Sequence, residues 1–103
     1  RFAAAREWQQ FHTPKNLAMA LAVEAAELLE HFQWLTADES TALDARRRRA
    51  VAEEIADVLL FLLRLADKLG IDPVAAAHTK LALNAKKYPI AKAKGRATKY
   101  NKL

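Results

Sequence analysis

The sequence predicts an all-α protein built as a small four-helix bundle, and three observations support this prediction. Ala, Leu, Lys, Arg and Glu dominate the 103 residues, and these residue types favour helices. Only two Gly and three Pro occur, which leaves little material for strands and hairpins. Apolar residues recur at the three- and four-residue spacing of an amphipathic helix. A chain of this length has room for one modest core, which four short helices would enclose.

The first two predicted helices are separated by a threonine and a proline. Residues 2–12 show a short amphipathic pattern that predicts a helix. Thr13 is a favoured N-cap residue and Pro14 is favoured in a first helical turn, so together they end one helix and begin another. We therefore expect the second helix over residues 14–34.

The third predicted helix follows a stretch without helical periodicity. We interpret residues 35–44 as a loop and expect the helix over residues 44–69, closed by Gly70 as its C-terminal cap. Between residues 58 and 66 this helix is apolar on almost every side, interrupted only by Arg64. A helix of that kind cannot lie on the outside of a small monomer. We expect a homo-oligomer to cover the additional apolar face.

The remaining sequence predicts a fourth helix and a basic tail. Asp72 and Pro73 repeat the cap-and-proline signal, so the fourth helix is expected over residues 73–88, where the next proline ends it. Residues 1–88 would form a single helical domain, and residues 89–103 a basic tail. All 12 acidic residues lie at or before Asp72, which indicates an anionic partner for the basic end and a cationic one for the acidic middle.

The composition disfavours several classes of protein. No apolar run reaches the roughly 18 residues that a membrane helix needs, and no signal peptide is visible. The chain contains no Cys, so the fold does not depend on disulfides or thiolate metal sites. That composition is compatible with a reducing compartment, and we expect a cytoplasmic protein.

Two pairs of carboxylates stand where the helical pattern calls for apolar side chains. Glu24 and Glu27 lie three residues apart in the second predicted helix. Glu54 and Asp57 have the same spacing in the third, so two adjacent antiparallel helices would bring both pairs together. Buried carboxylates need a partner, and hard oxygen ligands suit Mg²⁺, with Mn²⁺ as its substitute, rather than Zn²⁺. The alternative is that these acids are solvated or pair with neighbouring arginines.

These motifs and their order resemble those of the MazG-like all-α nucleoside triphosphate pyrophosphatases, and within that family they look most similar to the dCTP pyrophosphatases. The resemblance extends over nearly the whole chain, through REWQQFHTPKNLAMAL, VEAAELLEHFQW, EEIADVLLFLLRLADKLGID, KLALNAKKYP and KGRATKY. A single E-x-x-E motif is weak, but the ordered set with its Trp and its NxxKYP ending is specific. The resemblance implies Mg²⁺-dependent hydrolysis of a nucleoside triphosphate, dCTP or a modified dCTP, to the monophosphate and pyrophosphate, a house-cleaning activity.

The resemblance also assigns roles to individual residues. The four carboxylates become the metal ligands, and either Glu54 or its neighbour Glu53 would take the proton of the attacking water. Lys87 would offset the charge on the pyrophosphate leaving group. Trp8 and Trp34 would contact the base, with core anchoring as their alternative role. The residues implied in nucleotide binding are Trp8, Gln9, Gln10, Phe11, His12, Trp34, Phe61, Asn84 and Lys87.

Phe61 departs from the pattern of the family. It stands one turn after Asp57, where the dCTP-specific relatives usually have Tyr. The ring is kept for packing, but a hydroxyl that can hydrogen-bond to the nucleotide is lost. The resemblance therefore leaves the selectivity for base or sugar open.

The expected partners are the nucleotide and further copies of the chain. The family implies homodimers or homotetramers with sites at subunit contacts, in agreement with the extra apolar face of the third predicted helix. Binding to a membrane is not expected, and nucleic acid is not a favoured partner. The alternative function is a non-enzymatic helical oligomer that binds nucleic acid through the basic tail, although that hypothesis leaves the four carboxylates unexplained.

Overall fold

The computed structural model describes residues 13–87, and every regular element among them is a helix. This confirms the predicted all-α class. The helices, labelled in chain order, are α1 over Pro14–Glu30, α2 over Ala37–Ser40, α3 over Ala45–Lys68 and α4 over Pro73–Lys87. The predicted helix over residues 2–12 and the predicted tail over residues 89–103 lie outside the described residues.

Side-chain caps begin the three longer helices where the sequence places them. The Thr13 hydroxyl accepts a hydrogen bond from the backbone N–H of Asn16 at 3.2 Å. The Asp44 carboxylate accepts one from the backbone N–H of Arg47 at 2.8 Å. The Asp72 carboxylate accepts two, both at 3.1 Å, from the first turn of α4. Each cap satisfies N–H groups that have no partner within their own helix.

α1 ends at Glu30, which corrects the predicted end at residue 34. The backbone N–H of Phe32 bonds to the carbonyl of Leu29 at 2.9 Å, and that of Leu35 bonds to the carbonyl of Phe32 at 2.9 Å. These bonds span three residues instead of the four of an α-helix, so the chain tightens into successive turns. No Gly or Pro marks this point in the sequence, so the helical periodicity alone predicts a longer helix than the structure has.

α2 lies inside the stretch that the sequence predicted as a loop. The Thr36 hydroxyl accepts a hydrogen bond from the Glu39 N–H at 3.1 Å, and the Glu39 carboxylate accepts one from the Thr36 N–H at 2.8 Å. This reciprocal pair is a capping box, and it stabilises a single turn of helix. The prediction of a continuous loop over residues 35–44 is therefore corrected.

The C-terminal end of α3 matches the glycine signal in the sequence. The helix runs to Lys68, Leu69 serves as its C-cap, and Gly70 follows with a φ of 65°. A positive φ strains a residue with a Cβ atom, so glycine is favoured there.

The packing of α1 against α3 organises the first part of the chain. On each helix, the buried and half-buried side chains recur every three or four residues, as expected for two helices that share a seam. Among them are Leu17, Leu21, Glu24 and Leu28 on α1, and Val51, Glu54, Val58, Phe61 and Leu65 on α3. Two glutamates thus occupy seam positions that apolar residues hold elsewhere along the stripe.

The helices fall into two compact units that divide after Gly70. α1, α2 and α3 belong to the first unit, and α4 belongs to the second. The single domain over residues 1–88 remains a prediction. None of the described helices combines the length and the hydropathy that a bilayer span requires.

α3 exposes large apolar side chains away from its seam. Ile55, Leu59 and Leu62 follow one another at four- and three-residue spacing and are all exposed. Leu60 and Leu63 are exposed on an adjacent stripe. Exposed apolar surface of this kind is typical of protein–protein interaction sites.

Candidate metal centre

Three glutamates from two helices converge where α1 packs on α3. Glu24 and Glu27 lie on α1 and Glu54 lies on α3, and each offers a carboxylate oxygen within 4.8 Å of the other two. The three-residue spacing places the α1 pair on one face of the helix, and the packing of the helices brings Glu54 to it. We call these three residues the glutamate cluster.

Part of the glutamate cluster is buried without a partner. Glu24 and Glu54 are half-buried, whereas Glu27 is exposed. Oε2 of Glu24 and Oε1 of Glu54 are shielded from solvent and have no hydrogen-bond donor among residues 13–87. No arginine among residues 13–87 donates a hydrogen bond to either oxygen, so pairing with arginine does not account for them. Leaving a buried acceptor unsatisfied is costly. Two such oxygens beside a third carboxylate fit a divalent cation.

The crowding of the carboxyl groups changes the protonation of the cluster. The pKa of Glu54 rises from 4.5 to about 8. The largest cause is the hydrogen bond that protonated Glu54 can form with the Glu24 carboxylate. Desolvation follows, then hydrogen bonding with Glu27 and the negative charges of both neighbours. At neutral pH the cluster therefore holds a proton when no cation is bound.

The chemistry of the ligands indicates which cations suit the cluster. All three side chains offer oxygen atoms, and none offers the sulfur or imidazole nitrogen that zinc prefers. Mg²⁺ and Mn²⁺ take carboxylate oxygens, and Mg²⁺ keeps coordination positions for water and for phosphate oxygens. The cluster is therefore suited to hold an ion that also contacts a phosphate chain.

The other two acids predicted at the site lie beside the cluster. Asp57 follows Glu54 by one turn of α3, is exposed, and does not belong to the glutamate cluster. Glu53 is adjacent to Glu54 in sequence and is also exposed. The structure thus brings three of the four predicted ligands together, and metal binding by all four remains a prediction.

Two aromatic residues predicted at the site lie in the first unit. Trp34 follows α1 in the turn region and is 86% exposed, so it does not anchor a core within the described part of the chain. Phe61 is half-buried and lies seven residues after Glu54, which places both on one face of α3. Their contact with a base remains a prediction.

The remaining predicted nucleotide contacts divide between two regions. Trp8, Gln9, Gln10, Phe11 and His12 lie outside the described residues. Asn84 and Lys87 are both half-buried in the last turns of α4, and their three-residue spacing places them on one face of that helix.

One basic feature was given no site role by the sequence. His31, Asp44, Arg46 and Arg47 line a hollow of about 260 Å³ where α3 begins. The Asp44 carboxylate caps α3 through the backbone N–H of Arg47, and all of Arg46–Arg49 are exposed. The signal in the sequence was the run of four arginines, which is commonly a solvated helix start.

The comparison with a family model identifies the wider group to which the sequence is similar. The model of the MazG-like family matches residues 19–103. This range includes every member of the glutamate cluster and all of α3.

Individual proteins show the same similarity. The chain is 41% identical over 104 residues to dCTP pyrophosphatase 1 from Bos taurus and to dCTP pyrophosphatase 1 from Homo sapiens, and each alignment covers 99% of the chain. The alignments cover 62% and 61% of those two proteins, so the chain spans about three fifths of their length. Among solved structures, a pyrophosphatase from Archaeoglobus fulgidus matches with a TM-score of 0.81 and 48% identity, over 85% of this chain and 82% of that one.

Proposed function

The chain belongs to the MazG-like family, and on this basis we propose that it is a metal-dependent nucleoside triphosphate pyrophosphohydrolase. The reaction would cleave a nucleoside triphosphate between its α and β phosphates, giving the monophosphate and pyrophosphate. The observation that carries the proposal is the glutamate cluster with its two unpartnered buried oxygens. The names of the similar proteins, dCTP pyrophosphatase and pyrophosphatase, support this reaction type.

Four acids would hold the cation in the proposed site. Glu24, Glu27 and Glu54 already converge, and Asp57 stands one turn further along α3. Mg²⁺, or Mn²⁺ in its place, would link an anionic triphosphate to an acidic site and polarise the phosphoryl group under attack. The carboxylates alone would repel such a substrate, so metal dependence follows from their charge.

A carboxylate of α3 would act as the general base. Glu54 is one candidate, because its carboxylate lies in the glutamate cluster, where a bound metal would activate the attacking water. Glu53 is the other candidate, since it is exposed and adjacent in sequence. Either would accept the proton from the water that attacks the α phosphorus.

Aromatic and basic side chains are the proposed nucleotide contacts. Exposed Trp34 would stack on the base, with Phe61 packing nearby on the face of α3 that carries Glu54. Lys87 and Asn84 would contact the phosphates or the sugar. The residues of the N-terminal segment proposed to complete the pocket are Trp8, Gln9, Gln10, Phe11 and His12. We propose dCTP, or a base-modified dCTP, as the substrate, with pool sanitation in the cytoplasm as the role.

The exposed face of α3 supports a homo-oligomer as the working form. Ile55, Leu59 and Leu62 would be covered by a second copy, as homodimer or homotetramer, which removes apolar surface from water. Leu59→Asp should lower the mass measured by light scattering to that of a smaller species, whereas Met19→Asp, at an exposed apolar position on α1, should not. An unchanged mass for Leu59→Asp would contradict this assignment of the interface.

Product analysis tests the proposed reaction. The protein would be incubated with dCTP, a 5-modified dCTP and the other common nucleoside triphosphates, each with Mg²⁺ and with a chelator. Metal-dependent formation of equal amounts of monophosphate and pyrophosphate is the expected result, and the ranking of substrates shows the effect of Phe61 on selectivity. No turnover, together with salt-sensitive binding of RNA or DNA, would instead favour a nucleic-acid-binding module.

A further inference from the structure

A hollow between the end of α1 and the start of α3 carries an excess of positive charge. His31, Asp44, Arg46 and Arg47 line its volume of about 260 Å³, and we call it the basic hollow. The Asp44 carboxylate accepts a hydrogen bond from the backbone N–H of Arg47 at 2.8 Å. Two guanidinium groups and an imidazole thus share the lining with one carboxylate, which leaves the hollow positive.

The two arginines of the basic hollow have no acidic partner in the described part of the chain. Neither guanidinium forms an ion pair with an acid among residues 13–87, and both side chains are exposed. Both residues stand in the first turn of α3, where the positive end of the helix dipole repels a cation. Asp44 caps the helix end itself, so the donors that remain for a ligand are the arginine side chains. An anion bound between them would relieve the repulsion.

The basic hollow lies on the side of both helices that carries the glutamate cluster. His31 keeps a helical conformation, with φ −70° and ψ −16°, and follows Glu27 by four residues, or about 6 Å along the axis of α1. Arg47 precedes Glu54 by seven residues, or about 10.5 Å along the axis of α3. Both spacings return to the same face of a helix. A ligand held at the cluster can therefore extend toward the hollow within the first unit.

The order of charges along this face indicates the class of ligand. The acidic cluster suits the end of a ligand that carries a divalent cation, and the basic hollow suits an end that carries free negative charge. A nucleoside triphosphate with one bound cation has both features along its phosphate chain. Arginine also matches phosphate in shape, because its planar fork of N–H groups can contact two phosphate oxygens at once.

From these observations, and resting on the proposed function, we infer that the basic hollow binds the terminal phosphates of the nucleoside triphosphate and then the pyrophosphate that leaves. Water forms a bond to the α phosphorus, and the bond from that phosphorus to the bridging oxygen breaks. The electron pair stays on the pyrophosphate oxygen, and the water proton passes to the general base. Arg46 and Arg47 offset the charge that develops on this leaving group.

Two matched double variants test the inference. Arg46→Ala/Arg47→Ala removes both arginines of the basic hollow and keeps the Asp44 cap, which uses a backbone N–H. Arg48→Ala/Arg49→Ala removes the same charge from the same run, but neither residue lines the hollow. Each protein would be titrated calorimetrically with inorganic pyrophosphate and, separately, with dCMP at a fixed Mg²⁺ concentration. Both compounds would also be tested as inhibitors of dCTP turnover, and circular dichroism verifies the fold.

Only the variant of the basic hollow should lose affinity for pyrophosphate. For Arg46→Ala/Arg47→Ala, the dissociation and inhibition constants of pyrophosphate should rise by at least about tenfold, because charge-assisted contacts are lost. Its KM for dCTP should rise as well, whereas inhibition by dCMP should stay within about twofold of the unmodified protein. Arg48→Ala/Arg49→Ala should stay within about twofold for both compounds. Arg46→Lys/Arg47→Lys, which keeps the charge without the fork, should recover part of the lost affinity.

Three results would overturn the inference. One is unchanged affinity for pyrophosphate in Arg46→Ala/Arg47→Ala. Another is equal weakening by Arg48→Ala/Arg49→Ala, since the summed charge of the arginine run would then attract any polyanion, nucleic acid included. The third is equal loss of pyrophosphate and dCMP binding, which would mean that the hollow does not distinguish the leaving group. In all three cases, metal-dependent turnover by the unmodified protein leaves the proposed function standing. Without such turnover, the proposed function fails and the inference fails with it.

Discussion

Mg²⁺ binding to the glutamate cluster should release close to one proton at neutral pH. Without a cation, the pKa of Glu54 is about 8, first because of hydrogen bonding with Glu24 and then because of burial and Glu27. A group with that pKa is protonated about nine-tenths of the time at pH 7. The cation needs the ionised carboxylate, so cation and proton compete for the same site.

This competition sets the pH dependence of the dissociation constant. Raising the pH from 7 to 9 should tighten nucleotide-free Mg²⁺ binding about tenfold, and lowering it from 7 to 6 should weaken binding by about another tenfold. A glutamate with its ordinary pKa of 4.5 would be ionised throughout this range and would leave the affinity nearly constant.

Calorimetric titration in buffers of different ionisation enthalpy measures both quantities. We expect about 0.9 proton released per cation at pH 7, and much less at pH 9. Glu30→Gln is the control, because Glu30 is an exposed carboxylate at the end of α1 and its removal should change neither quantity. A constant affinity from pH 6 to pH 9 without proton release would refute the reasoning, since Glu54 would then titrate as an isolated carboxyl group.

Three further predictions concern stability. With chelator present, the melting temperature should fall as the pH rises from about 4.5 to about 8, because the folded state retains a proton on Glu54 that the unfolded chain loses. Glu54→Gln should flatten this dependence in melts followed by circular dichroism. Leu17→Ala should lower the free energy of unfolding in urea by about 3 kcal/mol, since Leu17 is 1% exposed. Met19→Ala, at a position 58% exposed, should lower it by less than about 1 kcal/mol, and equal effects would contradict the packing of α1 on α3. Gly70→Ala should lower the free energy of unfolding by about 1 kcal/mol in the same assay, because a residue with a Cβ atom is strained at a φ of 65°. No atom lies within 4 Å of the added Cβ, so backbone strain is the whole cost, and a neutral result would mean that the turn relaxes.

Most helix boundaries could be predicted because particular residues mark them. Asp44 and Gly70 bracket α3, and each acts through a local interaction that the sequence alone identifies. The end of α1 at Glu30 has no such marker, since the tightening of the next turns depends on backbone hydrogen bonds. The capping box of α2 was visible as Thr36 and Glu39, but a single turn lacks the periodicity on which the prediction relied.

The candidate site was only partly predictable for a related reason. The i, i+3 spacing places Glu24 and Glu27 on one face of a helix whatever the rest of the chain does. Their meeting with Glu54 depends on the seam between two helices, which the apolar stripes indicated. The separation of Asp57 from the cluster depends on where that seam ends around α3, and spacing alone does not contain that information.

The rate of pyrophosphate release from dCTP by Glu54→Gln, measured beside the unmodified protein and Asp67→Asn, tests the central role of the glutamate cluster most directly. We expect Mg²⁺-dependent release by the unmodified protein and by Asp67→Asn. For Glu54→Gln we expect a loss of at least about 100-fold, with an unchanged helical circular dichroism spectrum. Release by Glu54→Gln at the rate of the unmodified protein would contradict the assignment of the cluster as the catalytic metal site.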